Sequence, residues 1–185
     1  MRIGGLVLAA GEGRRFGATK QIAEVRGRPL LEHALAAVAG LSPRAVVLGH
    51  AAEAILAKVD LQGAEPVVCE GWREGQAASL RAGIAALGDV DAIVVVLGDQ
   101  PLIGAVAVDA VVEAATGDED AVRATYAGRP GHPVLLGRAL LDRAGELEGD
   151  TGFRDLLERA RVTEVDLTGR ADPADVDTRD QLRAL

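Results

Sequence analysis

The most constraining feature of the chain is a glycine-rich, basic loop that directly follows an apolar run near the amino terminus. The run, Ile3–Ala9, predicts a buried parallel strand, because such strands are apolar on both faces. Three glycines lie between residues 11 and 17, where they let the backbone turn sharply and present its N–H groups to an anion. Arg15 and Lys20 can neutralise charge on a reacting phosphate. The segment predicts a phosphate-binding loop at the end of a first strand.

Two common nucleotide-binding loops do not fit this segment. The dinucleotide fingerprint requires a third glycine where Phe16 stands, and it carries no cluster of cations. The P-loop requires Gly-Lys followed by Ser or Thr, whereas Lys20 lies between Thr19 and Gln21. Lys20 is one of only two lysines among 20 basic residues, which suggests that its compact ammonium is needed at this position.

Apolar and turn-forming segments alternate along the chain and predict one α/β domain over residues 1–185. Strands alternating with helices give right-handed β-α-β units, so we expect a Rossmann-like three-layer sandwich with a mostly parallel sheet. The predicted strands are Ile3–Ala9, Arg44–Gly49, Pro66–Cys69, Ala92–Leu97, Ala121–Tyr126, Pro133–Leu136 and Val162–Leu167. The predicted helices are Pro29–Ala39, Ala51–Val59, Gly75–Leu87, Ala105–Ala115, Phe153–Arg161 and Pro173–Ala184.

Charge and cysteine content exclude several functional classes. The formal net charge of −8 argues against binding to nucleic acid or to an anionic membrane. The single cysteine, Cys69, excludes an internal disulfide and fits a reducing compartment. No apolar run reaches transmembrane length and no signal peptide precedes the first strand. A cytoplasmic enzyme with a small phosphorylated ligand is the expectation.

A second polar cluster follows the apolar strand Ala92–Leu97. Asp99 comes at its end, where it would lie at the mouth of the cleft that forms beside the carboxyl ends of parallel strands. Mg²⁺ prefers one or two carboxylates together with substrate phosphates. A simple turn at Asp99 and Pro101 is the alternative, and the phosphate loop makes a magnesium ligand the favoured interpretation.

These segments together resemble the MobA-like nucleotidyltransferases, and among them the molybdenum cofactor cytidylyltransferases most. The resemblance covers residues 6 to about 182, and its motifs occur in family order. They are the loop from Leu8 to Lys20, Gly27–Leu31, Leu97–Pro101, Trp72–Leu80, Gly131–Leu135, Gly149–Gly152 and Asp175–Thr178. The chain departs from the family at Glu12, Phe16 and residues 21–25.

The resemblance implies transfer of a nucleoside monophosphate from an NTP to a phosphorylated acceptor, with release of pyrophosphate. Arg15, Lys20 and Asp99 would be catalytic, and Asp99 with Asp177 would hold Mg²⁺, although an aspartate before a helix is also a common cap. The nucleotide site implied by the family comprises Leu8, Ala9, Ala10, Gly11, Glu12, Gly13, Lys20, Gly98 and Asp99. The implied acceptor contacts are Gln76, Ser79, Gln100 and His132.

The resemblance also suggests the substrates. Ala10, where guanylyl relatives tend to carry glycine, and Pro29-Leu30-Leu31 favour CTP over GTP. The expected acceptor is molybdopterin, with a molybdoenzyme as a downstream partner. GTP or another phosphorylated acceptor stays open, as does a non-catalytic protein that binds a nucleotide or escorts a cofactor. Asp150 is expected to cap the helix that follows it.

Overall fold

Nine strands and seven helices make up the computed structural model, which describes residues 1–185. The strands are β1 Ile3–Ala9, β2 Glu24–Val25, β3 Arg28–Pro29, β4 Arg44–Leu48, β5 Glu65–Val68, β6 Ala92–Leu97, β7 Ala121–Tyr126, β8 Arg129–Gly137 and β9 Val162–Asp166. The helices are α1 Leu30–Ala37, α2 Ala52–Leu56, α3 Gln76–Leu87, α4 Ala105–Glu113, α5 Arg138–Leu141, α6 Arg154–Leu157 and α7 Arg179–Arg183. None of these helices is long and apolar enough to cross a membrane.

Seven strands form one sheet in the order β5-β4-β1-β6-β8-β7-β9, and β2 pairs with β3 in a separate hairpin. β1 runs parallel to β4 and β6, β4 to β5, and β7 to β9. Only β8 runs antiparallel to its neighbours, β6 and β7. The predicted α/β fold with a mostly parallel sheet is confirmed.

Both faces of the central strand β1 are covered. Val7 belongs to a buried cluster of 26 residues shared with α1 and α4, and Leu6 belongs to a cluster of 21 residues shared with α3. Both side chains have no exposed surface. This two-sided burial explains why β1 is a continuous apolar run instead of an alternating one.

The order of the strands places the site. From β1 the chain adds β4 and then β5 on one side, and it returns to add β6 on the other side of β1. Ligands bind in α/β sheets at the carboxyl ends of strands where the order reverses in this way. The loops that follow β1 and β6 therefore meet at the place where a cleft is expected.

The predicted final helix, Pro173–Ala184, is wrong over its first half. Only Arg179–Arg183 is helical, and residues 173–178 form neither helix nor strand. Thr178 begins α7 with a capping box in which its hydroxyl accepts a hydrogen bond from the backbone N–H of Gln181. The cap at Thr178 starts the helix late, and it leaves Asp177 outside the helix.

Three other predicted elements change length markedly. The helix predicted at Ala51–Val59 is shortened to Ala52–Leu56. The strand predicted at Pro133–Leu136 begins at Arg129, because Ala127 and Gly128 adopt positive φ angles of 49° and 75° and close a tight hairpin between β7 and β8. The helix predicted at Phe153–Arg161 is reduced to the single turn α6.

Gly83 in α3 offers a test of the packing against the sheet. A Cβ atom there would lie 2.4 Å from Leu6 Cδ1 and 2.9 Å from Val47 Cγ2, and neither side chain has exposed surface toward which it can move. We expect Gly83→Ala to lower the free energy of unfolding by a net amount of about 1–3 kcal/mol in urea titrations. The higher helix propensity of alanine, about 1 kcal/mol, offsets only part of the cost of overpacking. Gly40→Ala, in an open turn, should be nearly neutral. Equal stabilities of the two variants would contradict this account.

Candidate active site

The glycine loop after β1 is held in place by a buried glutamine. The Gln21 side-chain amide donates hydrogen bonds of 3.0 Å to the Ala9 carbonyl and 3.1 Å to the Gly11 carbonyl. Gly13 has a φ of 64°, in the left-handed region that favours glycine. Sequence reasoning named Gln21 only as a departure from the family pattern and missed this role. The sequence signal for it is weak, because Gln21 is one polar residue directly after Lys20.

Lys20 brings the two predicted metal ligands together. Its Nζ donates hydrogen bonds of 2.7 Å to Asp99 Oδ2 and 3.1 Å to Asp177 Oδ1, although these residues lie far apart in the chain. Arg15 Nη2 lies 2.7 Å from the other oxygen of Asp177. Burial lowers the pKa of the Lys20 amine, but the two carboxylates outweigh this effect and leave the pKa above its usual value. The amine is therefore charged.

Gly98 allows Asp99 to reach the loop that follows β1. The Gly98 N–H donates a 2.8 Å hydrogen bond to the Leu8 carbonyl, which extends the pairing of β6 with β1 past the end of β6. A Cβ atom at Gly98 would lie 2.9 Å from Ala9 Cβ, a separation that side chains do not tolerate. Only glycine permits this close approach, and the next residue enters the cleft.

Asp177 lies in a segment that we call the C-terminal strap and define as residues 173–178. The Gln100 side-chain amide donates hydrogen bonds of 3.0 Å to the Pro173 carbonyl and 2.9 Å to Asp175 Oδ1. The Val176 N–H donates a 2.9 Å hydrogen bond to the Asp99 carbonyl, and the Val176 side chain is buried. Gln100 itself is buried at the base of the strap and lines none of the three cavities described below.

The donor set fits a divalent cation that is shared with a phosphorylated substrate. Asp99 and Asp177 are partly exposed and contact one amine, and no third His, Cys, Asp or Glu completes a metal-binding group. Mg²⁺ is commonly held by one or two carboxylates, with waters and substrate phosphates supplying the other ligands. Asp177 is not a helix cap, because Thr178 performs that role.

Two adjoining cavities border this cluster. The smaller one, of about 230 Å³, lies over the cations and carboxylates, between the glycine loop and Gly98. The larger one, of about 740 Å³, extends from the glycine loop to α3. Its wall includes Trp72, whose ring stacks under the Arg73 guanidinium at 4.5 Å and contacts His50 edge-on at 5.6 Å. The residues of the predicted nucleotide site that line these two cavities are Leu8, Ala9, Ala10, Gly11, Glu12, Gly13, Lys20, Gly98 and Asp99.

Asp150 caps a different helix from the one expected. Its Oδ1 accepts a 3.2 Å hydrogen bond from the Gln76 N–H, and the Gly149 carbonyl accepts a 3.0 Å bond from the Ala77 N–H. Both bonds are at the start of α3, so this helix N-terminus is already satisfied within the protein and does not present these N–H groups to an anion. Gly75 permits the contact, because a Cβ atom there would lie 2.4 Å from the Gly149 carbonyl.

A third cavity, of about 220 Å³, adjoins the others along Leu8 and Gln76. Half of its 14 lining residues are hydrophobic, and the predicted acceptor residues Gln76 and His132 both line it, whereas Ser79 lines the larger cavity. Burial lowers the pKa of the His132 imidazole to about 4, against a small opposing effect of Asp99. The ring is therefore neutral at pH 7 and acts as a polar, uncharged wall.

The chain is similar in sequence to a known domain family and to several named proteins. The family model described as "MobA-like NTP transferase domain" matches residues 5–165. Nicotine blue oxidoreductase of Paenarthrobacter nicotinovorans is 32% identical, and the match covers 98% of this chain and 95% of that protein. Bifunctional GlmU of Thermobifida fusca is also 32% identical over 86% of this chain, but the chain spans only 35% of its length.

Several solved structures share the fold of this chain. Rv0371c of Mycobacterium tuberculosis superposes with a TM-score of 0.87 and 34% identity, covering 99% of this chain and 96% of that one, and it has also been solved in complex with manganese. The molybdopterin-guanine dinucleotide biosynthesis protein A of Archaeoglobus fulgidus, at 21% identity, shares the fold with a TM-score of 0.70, covering 98% of this chain and 95% of that one.

Replacing Gln100 tests how the strap is held. Gln100→Leu keeps the size of the side chain but removes both hydrogen bonds to the strap and leaves the Pro173 carbonyl without its donor. We expect a loss of about 1–3 kcal/mol in the free energy of unfolding, together with faster amide hydrogen exchange confined to residues 173–178. An unchanged exchange pattern would show that Gln100 does not hold the strap.

The pH dependence of stability tests the burial of His132. The unfolded chain protonates this residue near pH 6.5, whereas the folded ring resists protonation down to about pH 4. The unfolded state thus binds more protons in that interval, and stability must fall as the pH drops through it, by at most about 1.4 kcal/mol per pH unit. His132→Gln should flatten the profile between these values in urea titrations, and an identical slope in both proteins would refute the assignment.

Proposed function

The chain belongs to the family of MobA-like NTP transferase domains, and on that premise we propose that it transfers CMP from CTP to the phosphate of a molybdopterin-type acceptor. The observation that carries this proposal is the convergence of Asp99 and Asp177 on Lys20, directly beside the glycine loop. Such a cluster of two carboxylates and two cations suits a triphosphate that arrives with a divalent metal.

In the proposed reaction, an oxygen of the acceptor phosphate attacks the α-phosphorus of CTP. The bond from that phosphorus to the oxygen bridging to the β-phosphate breaks, and pyrophosphate leaves. Arg15 is mostly exposed and can follow the phosphates, whereas Lys20 is held at the base of the cleft and stabilises the charge that develops on them. Asp99 and Asp177 would hold Mg²⁺, which supplies further neutralisation of the phosphate oxygens.

The three cavities suggest where each substrate lies. The larger cavity, between the glycine loop and Trp72, suits the nucleoside, and the small cavity over Lys20 suits the phosphates. The acceptor would lie in the cavity lined by His132 and Gln76, which meets the nucleotide cavity at Leu8. The methyl group of Ala10 borders the nucleoside cavity and favours the smaller cytosine ring.

Oxidoreductase activity on a small organic substrate is a second candidate, because the match to nicotine blue oxidoreductase extends over 98% of this chain. The half-apolar lining of the third cavity also suits a flat organic molecule. Absorbance assays of a conjugated organic substrate with NADH, NADPH or another electron donor separate the two candidates, because nucleotidyl transfer consumes no reductant.

Asp99→Asn tests the transferase. Pyrophosphate release is followed with Mg²⁺, molybdenum cofactor and CTP, GTP or ATP in parallel. We expect turnover with CTP in the wild type, and a loss of about a hundredfold or more in kcat/KM for Asp99→Asn, since a neutral amide holds the metal poorly. Circular dichroism establishes that the variant is folded. Asp109→Asn, on the exposed side of α4, should keep full activity. Turnover with GTP alone would keep the reaction and overturn the base preference, and no pyrophosphate release with any NTP would overturn the proposal.

A further inference from the structure

The position of the Lys20 amine has a consequence for metal binding. It lies within hydrogen-bonding distance of one oxygen from each predicted metal ligand, at 2.7 Å from Asp99 and 3.1 Å from Asp177. The side chain of Lys20 is only 10% exposed, so the amine cannot leave this position for bulk solvent without a rearrangement. A cation held by both carboxylates would compete with the amine for the same oxygens.

The four side chains that are in direct contact in the cluster balance in charge without any metal. Asp99 and Asp177 contribute two negative charges, and Lys20 and Arg15 contribute two positive charges. A bare divalent cation that entered this group would face the buried Lys20 amine, whose repulsion is poorly screened, whereas that of the mostly exposed Arg15 is screened by solvent. A triphosphate adds negative charge to the cluster, and its oxygens can form ion pairs with Lys20 and Arg15 in place of the two carboxylates.

We propose, on the basis of the transferase function above, that Lys20 occupies the place of the metal between Asp99 and Asp177 until a nucleotide arrives. The triphosphate draws the amine onto its own oxygens and frees the carboxylates, so that metal and nucleotide bind together and the metal alone binds poorly. Lys20 thereby prevents a loosely coordinated metal from filling the cleft in the absence of substrate. The two ligands are thermodynamically coupled through one side chain.

Lys20→Met tests this coupling, because methionine has a similar length and no charge. Binding of Mn²⁺ is measured by electron paramagnetic resonance of the free ion, first without nucleotide and then with a non-hydrolysable CTP analogue. Without nucleotide, we expect Lys20→Met to bind Mn²⁺ about tenfold or more tightly than the wild type, because the competing charge is gone. In the wild type, the analogue should raise the Mn²⁺ affinity by about the same factor, and in the variant by less.

Three further variants control the experiment. Lys58→Met removes the only other lysine, which is exposed, and should behave as the wild type does. Lys20→Arg keeps the charge and should keep the weak metal binding. Adding Asp99→Asn to Lys20→Met should abolish the gain, which assigns the bound ion to this site. Circular dichroism establishes that each variant is folded.

Two results would overturn the proposal: an equal Mn²⁺ affinity of Lys20→Met and wild type, or wild-type binding that the nucleotide analogue does not strengthen. The measurement without nucleotide requires no turnover. If the chain transferred no nucleotide and the gain in Lys20→Met were still observed, the transferase would fall while Lys20 kept its role as the competitor for the metal ligands. The opposite pair of results would leave the transferase intact and remove this role from Lys20.

Discussion

The contact of one buried amine with two carboxylates is the interaction on which the rest of the site depends. It joins the loop after β1, the end of β6 and the C-terminal strap, which are separated by 79 and 157 residues along the chain. The order of the sheet places β1 and β6 side by side, Gly98 lets their loops touch, and the hydrogen bonds of Gln100 hold the strap across them. The fold serves chiefly to bring these three segments to one point.

Sequence reasoning was successful where burial is two-sided and local. β1 and β6 are continuous apolar runs because both of their faces are covered, and both were predicted with the bounds that the structure shows. The C-terminal strap was mistaken for helix because its non-helical path depends on partners far away in the chain, at Gln100 and Asp99. Asp150 was assigned to the wrong helix for the same reason, since its partner Gln76 is 74 residues away.

The cavity lined by His132 was less predictable than the two cavities beside the glycine loop. The glycine loop supplies much of the wall of those two cavities, whereas the cavity of His132 is built from several segments, which include β8, α3, α6 and the end of β1. Its character, half apolar with a neutral imidazole, emerges only when these segments assemble. The family resemblance predicts acceptor contacts at Gln76, His132 and Gln100, and only the folded chain shows that Gln100 is buried under the strap, outside the cavity that Gln76 and His132 line.

The C-terminal strap also determines when the site is complete during translation, because it is synthesised after the other segments of the site. The strands that flank the cleft, β1 and β6, are complete by Leu97, and the sheet closes with β9 at Asp166. Asp177 is synthesised after all of these strands, because it belongs to the strap, which pairs with Asp99 beyond the end of β6. A nascent chain on the ribosome therefore has its glycine loop long before it has both carboxylates. Lys20 has only one of its two anionic partners until the strap has emerged from the ribosome and docked.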